Sequence, residues 1–547
     1  MRGKYRIPIR IRHYWRFLVG CLAFLLVLTV TLSSVPVRPY VTSTSDTGGD
    51  VVTHDIAGTV DLFDETVAHR IELVFRDADY ERMLDAFYAE GEKEYIEADL
   101  VIDGTTIPSV GIRLKGNSTL RSLSRNGETP QRSGGPAGAD GQPRPDGQTR
   151  PDGQTRPDGQ TRTDGQAGRA GRTDGGAFSQ TSLKAEEPET LPWLIRFDEF
   201  VDGRRYQGHR EIAVRVGGMG GGSTVLNEAV TLNLLAAAGE VAQEYAYTSF
   251  TVNDRPTTAR LIVEHPDEHF AEDFDGAGVL YKSLATSQFT DQGDDQTAYA
   301  DDFKQITMKG SQDLQPVIDL IRWVDTASDA EFDEQLADRI DVESFARYAA
   351  WQNLLLNFDD MAGPGRNYYL WYDLATKRFT VIGWDYNLAF SGSATQGPHE
   401  QGRLGGGFRA GGVAGAPAAE PPAGFTPPDP DDTLPDGNAD PGGNGAPGGN
   451  GAPGGGDGGP GGNGHLLKER FLASATFKQV YEDAYRDLYQ RLFADGAALA
   501  AVDATAEMLS TVDGSDAGTT SADAESLRTL IRQRTESLAS NEVISRS

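Results

Sequence analysis

Two short words hold the residue types that could do chemistry in this chain. The first is an acidic turn, Asp359-Asp360-Met361-Ala362-Gly363-Pro364-Gly365-Arg366-Asn367. The second is Val381-Ile382-Gly383-Trp384-Asp385-Tyr386-Asn387. An acid pair sits on the turn, the Asn367 amide lies at the mouth of a strand, and Asp385 ends the next strand. Phosphoryl transfer needs such a set: one carboxylate to orient a hydroxyl, plus a carboxylate and an amide to hold Mg²⁺ against phosphates. Turn hydrogen bonding alone also favours Asp and Asn at such positions.

Two further words invite a ligand reading. Gly217-Gly218-Met219-Gly220-Gly221-Gly222 precedes a helix and could cradle an anion on its N-terminus. It lacks Gly-Lys-Ser/Thr, so it is not a Walker loop, and a flexible connection is the simpler expectation. His265 and His269 bracket Pro266, which breaks the helical spacing a zinc pair would use.

The elements that must position these residues read as α/β. Arg70–Phe75 alternates like a strand, and Asp77–Tyr88 spaces Tyr80, Met83, Leu84 and Phe87 as a helix does. Ala98–Ile102 and Val110–Leu114 form a hairpin around the Asp103-Gly104 turn. Strands are expected at Leu194–Phe197, Glu211–Val216, Tyr247–Val252 and Arg260–Glu264. A helix over Thr224–Ala238 ends at Gly239. Helices at Val317–Val324, Ala330–Arg339 and Val342–Asn357 lead to the acidic turn. Trp371-Tyr372 and Phe379–Ile382 then make the hairpin that presents Asp385. Helices are expected again at Leu466–Leu472, at Thr476–Phe493, and from Ala497 and Ala522 onward.

Composition limits the rest. The 547 residues carry 81 acids against 50 Lys and Arg, a net charge of −31, which argues against a nucleic-acid partner. Met1–Arg16 is basic without an acid, and Phe17–Leu32 is apolar, with Ser33–Val37 extending it to spanning length. The N-terminus is then cytoplasmic and the remainder extracytoplasmic, at the cell surface. An uncleaved membrane anchor is expected, because no clean small-x-small site precedes a mature start; a cleaved signal peptide is the rival. The single cysteine, Cys21, lies inside this apolar run, so the exported part is built without disulfides.

Two tracts cannot build a core. Pro145–Arg162 is three copies of Pro-Asp-Gly-Gln-Thr-Arg, and the region around residues 392–464 is rich in Gly and Pro. The expected organisation is a basic segment and transmembrane signal-anchor (1–37), a tether (38–57), a first folded part (58–123), a repeat insertion (124–180), a core (181–391), a Gly/Pro-rich insertion (392–464) and a helical C-terminal part (465–547). Both insertions interrupt folded sequence, so the elements must close across them.

Several words together resemble the CotH family of spore-coat-type atypical secreted kinases. They are Val110-Gly111-Ile112-Arg113-Leu114-Lys115-Gly116-Asn117-Ser118, Arg196-Phe197-Asp198-Glu199-Phe200, Gly278-Val279-Leu280-Tyr281-Lys282, Asn367-Tyr368-Tyr369-Leu370-Trp371, and Trp384-Asp385-Tyr386-Asn387-Leu388-Ala389-Phe390. They keep the family's order over roughly Gly58–Leu123, Leu183–Phe390 and the C-terminal helices. The resemblance implies a kinase-like, two-lobed α+β fold with an N-terminal mixed sheet and a helical C-terminal part, ATP with Mg²⁺ or Mn²⁺, and an extracytoplasmic protein substrate.

Carried over by residue, the resemblance implies that Asp385 ligates the metal and Asn367 is a second metal or phosphate contact. Asp360, or its neighbour Asp359, orients the acceptor hydroxyl. Lys115, Asn117 and Ser118 form a short loop over the phosphates, and Glu228 is the ion-pair partner of a phosphate-binding cation. Many relatives have a Lys-rich word before the Arg196-Phe197 strand, where this chain has Leu191-Pro192-Trp193-Leu194. Arg196, Lys184 and Lys115 are therefore the candidates for that cation, and Arg is not equivalent to Lys there. The departure leaves open a catalytically inactive scaffold for envelope or surface assembly. A surface adhesion protein with disordered spacers is a third reading.

Overall fold

The structure is a computed structural model that describes residues 51–116, 119–129, 182–218, 224–400 and 464–546. Its first half comprises β1 (His54–Ile56), β2 (His69–Phe75), α1 (Asp77–Glu90), β3 (Ile96–Ile102) and β4 (Thr105–Leu114). Buried and exposed residues alternate along β2 without exception, as in a strand with one face in a core. Asp103 and Gly104 have φ of 47° and 82°. Two positive φ values make the tight turn whose twist matches the flanking strands.

Next come β5 (Trp193–Arg196), β6 (Arg204–Tyr206), β7 (Glu211–Val214), α2 (Leu226–Ala238), β8 (Tyr245–Val252) and β9 (Thr258–Glu264). β4 pairs with β5 from Gly111↔Arg196 to Leu114↔Trp193, so the strands on either side of the repeat insertion are direct neighbours. Seven strands close into a barrel in the order β2-β3-β4-β5-β7-β9-β8. The closing pair is β2 with β8, parallel, from His69↔Thr248 to Leu73↔Val252. Leu73, Leu100, Ile112, Trp193 and Phe250 fill the barrel, and α1 adds Tyr80, Met83, Leu84 and Phe87 to the same core.

The second half holds β10 (Gly278–Ser283), β11 (Phe303–Gln305), α3 (Gln315–Thr326), α4 (Asp329–Gln335), α5 (Val342–Leu354), β12 (Tyr368–Asp373) and β13 (Phe379–Gly383). After the second insertion come α6 (Leu466–Ala473), α7 (Ala475–Leu488), α8 (Ala497–Thr511) and α9 (Ala517–Ala539). The strands form an antiparallel sheet ordered β11-β10-β12-β13. The helices pack α5 on α7, α2 on α8 and α8 on α9. β8 and β9 serve both halves. Ala246, Phe250 and Ile262 face the barrel interior, whereas Tyr245, Tyr247, Leu261 and Val263 join the second core with α2 and the sheet. Burial on both faces explains why β8 reads as a near-continuous apolar run.

The expected architecture, a kinase-like two-lobed fold with an N-terminal mixed sheet, is corrected. The N-terminal strands close into a barrel, because β2 and β8, far apart in sequence, hydrogen-bond along their free edges. No helix among the described residues is long and apolar enough to cross a membrane. The anchor expected within residues 1–37 lies outside them, as do the repeats at 145–162 and most of the second insertion.

Candidate functional site

Four strand ends converge on one indole. Lys115 follows β4, with its backbone N–H bonded to Pro192 O. Arg215 follows β7 and is held by its N–H to Leu261 O at 2.8 Å. Lys282 is on β10, and Trp384 follows β13. The Arg215 guanidinium, Lys115 Nζ and Lys282 Nζ lie 5.0, 5.1 and 5.4 Å from the centroid of the buried Trp384 ring, the range of cation–π contact. The edges of His265 and Tyr369 complete its surround.

Arg215 bridges two acids. Its Nη2 donates to Glu228 Oε1 at 2.6 Å, and Nη1 lies 2.8 Å from Asp385 Oδ1. The second contact is an ion pair without hydrogen-bond alignment, so Asp385 Oδ1 is a buried acceptor lacking a donor. Arg215 Nε is a buried donor lacking an acceptor. Glu228 is in the first turn of α2, where the helix dipole favours negative charge.

The electrostatics follow from crowding like charges out of water. Burial pushes the Lys115 ammonium below its ordinary range, and the charge of Arg215 adds to this. Lys282 is pushed down to about 8, again first by burial. Burial drives the Glu228 carboxyl up, against the pull of Arg215. Burial also opposes ionisation of Asp385, but Arg215, then Lys115 and Lys282, outweigh it and hold that carboxyl low. Asp385 has φ and ψ both at 59°. This left-handed conformation costs a non-glycine residue roughly 1–2 kcal/mol, and such strain concentrates at functional sites.

The acidic turn lies next to this centre. Asp359 is buried; its Oδ1 accepts from Gly365 N–H at 2.6 Å and its Oδ2 from Asn367 Nδ2 at 3.0 Å. Burial raises its carboxyl to about 6, and the charges of Asp385 and Asp360 add to the rise. The turn needs its glycines: a Cβ on Gly363 would fall 2.5 Å from Asp359 Cα, and one on Gly365 would fall 2.8 Å from the Asp359 carboxylate. Asp360 faces another way. It pairs with buried Lys468 of α6 and accepts from Ala362 N–H. Together they line a cleft that also includes Asn357, His399 and Tyr481. A smaller pocket is bounded by Lys115, Gly116, Arg215, Asp385 and Asn387.

Of the residues singled out in sequence, the structure gathers Lys115, Glu228 and Asp385 at one centre, with Asp359, Asp360 and Asn367 on the adjoining turn. Arg196 is engaged elsewhere, 2.6 Å from Asp198 and 3.3 Å from Glu199. Lys184 is exposed and paired with Glu187. Asn117 and Ser118 lie outside the described residues. The cation paired with Glu228 is Arg215, which sequence reading passed over as the tail of a strand. Lys282 was visible as part of the Gly278–Lys282 word, but nothing local assigned it a role. Lys468 carries no signal, since it meets Asp360 across the second insertion.

A family model for CotH kinase protein matches residues 176–538. The chain belongs to the CotH kinase family. No curated protein matches it. The CotH span takes in Arg215, Glu228, Lys282, the acidic turn, Asp385 and Lys468, and begins after Lys115 and β2–β4.

The residues present fit a hard divalent cation. Asp385 Oδ1 accepts no hydrogen bond although Arg215 Nη1 stands 2.8 Å away, and the Asp359 and Asp385 carboxylates repel one another. Among the described residues, no group of three His, Cys, Asp or Glu could hold a metal by itself. Mg²⁺ does not require one, because it commonly takes one or two carboxylates and completes its shell with water and phosphate oxygens.

Proposed function

We propose that this CotH-family chain is an exported, membrane-anchored protein kinase that transfers the γ-phosphoryl group of ATP to Ser or Thr hydroxyls of surface proteins. One observation carries the reading: three cations crowd a single buried indole, and Arg215 Nε points no hydrogen bond at any acceptor. Such crowding is costly unless an anion enters, and phosphate oxygens answer the unfilled donor.

In this reading Lys115 and Arg215 bind the phosphate chain, and Glu228 fixes the direction of Arg215. Asp385 and Asn367 hold Mg²⁺ or Mn²⁺, which when bound would neutralise charge on the transferring group. Asp359, tied to Asn367 and Gly365, keeps the amide in place. Asp360, on the wall of the larger cleft, orients the acceptor hydroxyl. That oxygen bonds to the γ-phosphorus as the bond to the β-phosphate oxygen breaks, giving ADP, and the hydroxyl proton passes to Asp360. Catalysis is positioning and charge neutralisation.

A catalytically inactive scaffold is the second reading, favoured by the Arg215–Asp385 contact, which leaves Asp385 already paired. Full-length protein in detergent, incubated with labelled ATP and Mg²⁺ or Mn²⁺, separates the two. Label incorporation lost in Asp385→Ala supports the kinase. Nucleotide-dependent thermal stabilisation without incorporation supports the scaffold.

A further inference from the structure

Lys282 has no assigned role, and its surroundings are unusual for a lysine at the end of a sheet strand. In the register of β10 it stands opposite Lys304 of β11 on one side and Tyr369 of β12 on the other. Like charges directly opposite on neighbouring strands are destabilising. Lys304, Arg113 and Lys115 all push against the Lys282 charge or feel it. Burial adds to the cost, yet no carboxylate contacts Lys282 Nζ within ion-pairing distance among the described residues.

What holds it is a relay. Lys282 Nζ donates to His265 Nε2 at 3.3 Å, and His265 Nδ1 lies 3.2 Å from Glu211 Oε2. His265 Nδ1–H donates to Glu211, which fixes the neutral imidazole in the Nδ1–H tautomer and leaves Nε2 to accept from Lys282. Burial, together with the Lys282 charge, keeps His265 neutral by holding its pKa down at about 3. The carboxylate therefore acts on Lys282 through a neutral ring as well as by its own charge. The ammonium keeps its charge and two unspent N–H donors, and it lies over both Tyr369 (5.3 Å) and Trp384 (5.4 Å), the indole that Arg215 and Lys115 also approach.

We propose that Lys282 is a phosphate-binding residue of this centre and that Glu211 and His265 are positioning residues that aim it through the imidazole. The proposal rests on the phosphate-binding reading of the Trp384 centre and adds to it a ligand-contacting cation and its support. The ligand is a polyphosphate, bound through its oxygens by charge-assisted hydrogen bonds.

The test uses full-length protein in detergent with inorganic tripolyphosphate as probe, read by thermal shift and by titration calorimetry without metal, and with labelled ATP for transfer. Lys282→Met should weaken tripolyphosphate binding about tenfold or more, and Lys282→Arg should restore much of it. His265→Phe should weaken binding several-fold while Lys282 is intact, and His265→Gln, whose amide oxygen can accept from Lys282, should recover it. In transfer assays these variants should raise the KM for ATP more than they lower kcat. Equal affinity for tripolyphosphate in Lys282→Met and the unaltered protein would overturn the role of Lys282, even if phosphoryl transfer is intact. Loss of tripolyphosphate binding in Arg215→Met but not in Lys282→Met would leave the phosphate site standing and sink this extension of it. A melting temperature for each unliganded variant separates lost binding from lost folding.

Discussion

Arg215 Nη1 and Asp385 Oδ1 lie 2.8 Å apart, joining the end of a barrel strand to the end of a strand in the separate four-stranded sheet. Through its second pairing, with Glu228, Arg215 links α2, β7 and the β13 end electrically. Replacing Arg215 by Met should leave two buried carboxylates without their cation. Breaking a buried pair in this way costs about 3–5 kcal/mol. Urea denaturation should show the loss in midpoint, and Arg215→Met/Glu228→Gln should recover part of it. A loss below 1 kcal/mol would mean that the pair is solvated in solution.

Asp385→Asn should separate fold from chemistry. Asn tolerates the left-handed backbone at this position better than most residues and preserves the shape of the side chain. Stability should fall, though by less than in Arg215→Met because Glu228 still pairs the guanidinium, while label incorporation from ATP falls roughly 10²-fold or more. Retained transfer would remove Asp385 from the metal role.

The two acids of the turn should fail differently. Asp360→Asn should lower kcat with little change in the KM for ATP, because Asp360 lines the larger cleft and meets Lys468 rather than the cations around Trp384. Asp359→Asn should raise the divalent-ion concentration needed for half-maximal transfer, because it perturbs Asn367 and the field at Asp385. Identical kinetic signatures would deny this division of labour.

Glu264 gives a pH test away from the chemistry. It is buried at the end of β9, 3.7 Å from His209 Nδ1, and burial lifts its carboxyl to about 9. The folded chain keeps this proton over a range where the unfolded chain has released it. Its linkage therefore makes stability fall as pH rises from about 4.5 toward about 9. Glu264→Gln should remove that slope, giving a stability close to the parent at pH 5 and higher by a few kcal/mol at pH 8. Parallel stability curves for the two proteins over this range would contradict the assignment.

Much of this molecule could be read along the chain, where spacing is local. The β2 alternation, the Asp103-Gly104 turn, the helix ending at Gly239 and the strand carrying Asp385 all depend on neighbours within a few residues. Barrel closure could not be read so, because the pairing of His69 with Thr248 leaves no periodic trace in either segment. The same holds for the site. Asp359, Asp385 and Glu228 stood out by residue type and place, whereas Arg215 looked like any charged residue at a strand end until α2 and β13 packed around it. Arg196 and Lys184, candidates by sequence position, turned out to be satisfied by nearby carboxylates.

The closed barrel also bears on how the gene can be shortened. A trimmed version limited to residues 176–538 would retain every acid of the turn, yet would discard three of seven staves, β2, β3 and β4. β5 and β8 would then present raw hydrogen-bonding edges, an invitation to self-association. Handling the protein therefore means carrying the portion ahead of the matched span along, however dispensable it looks by similarity.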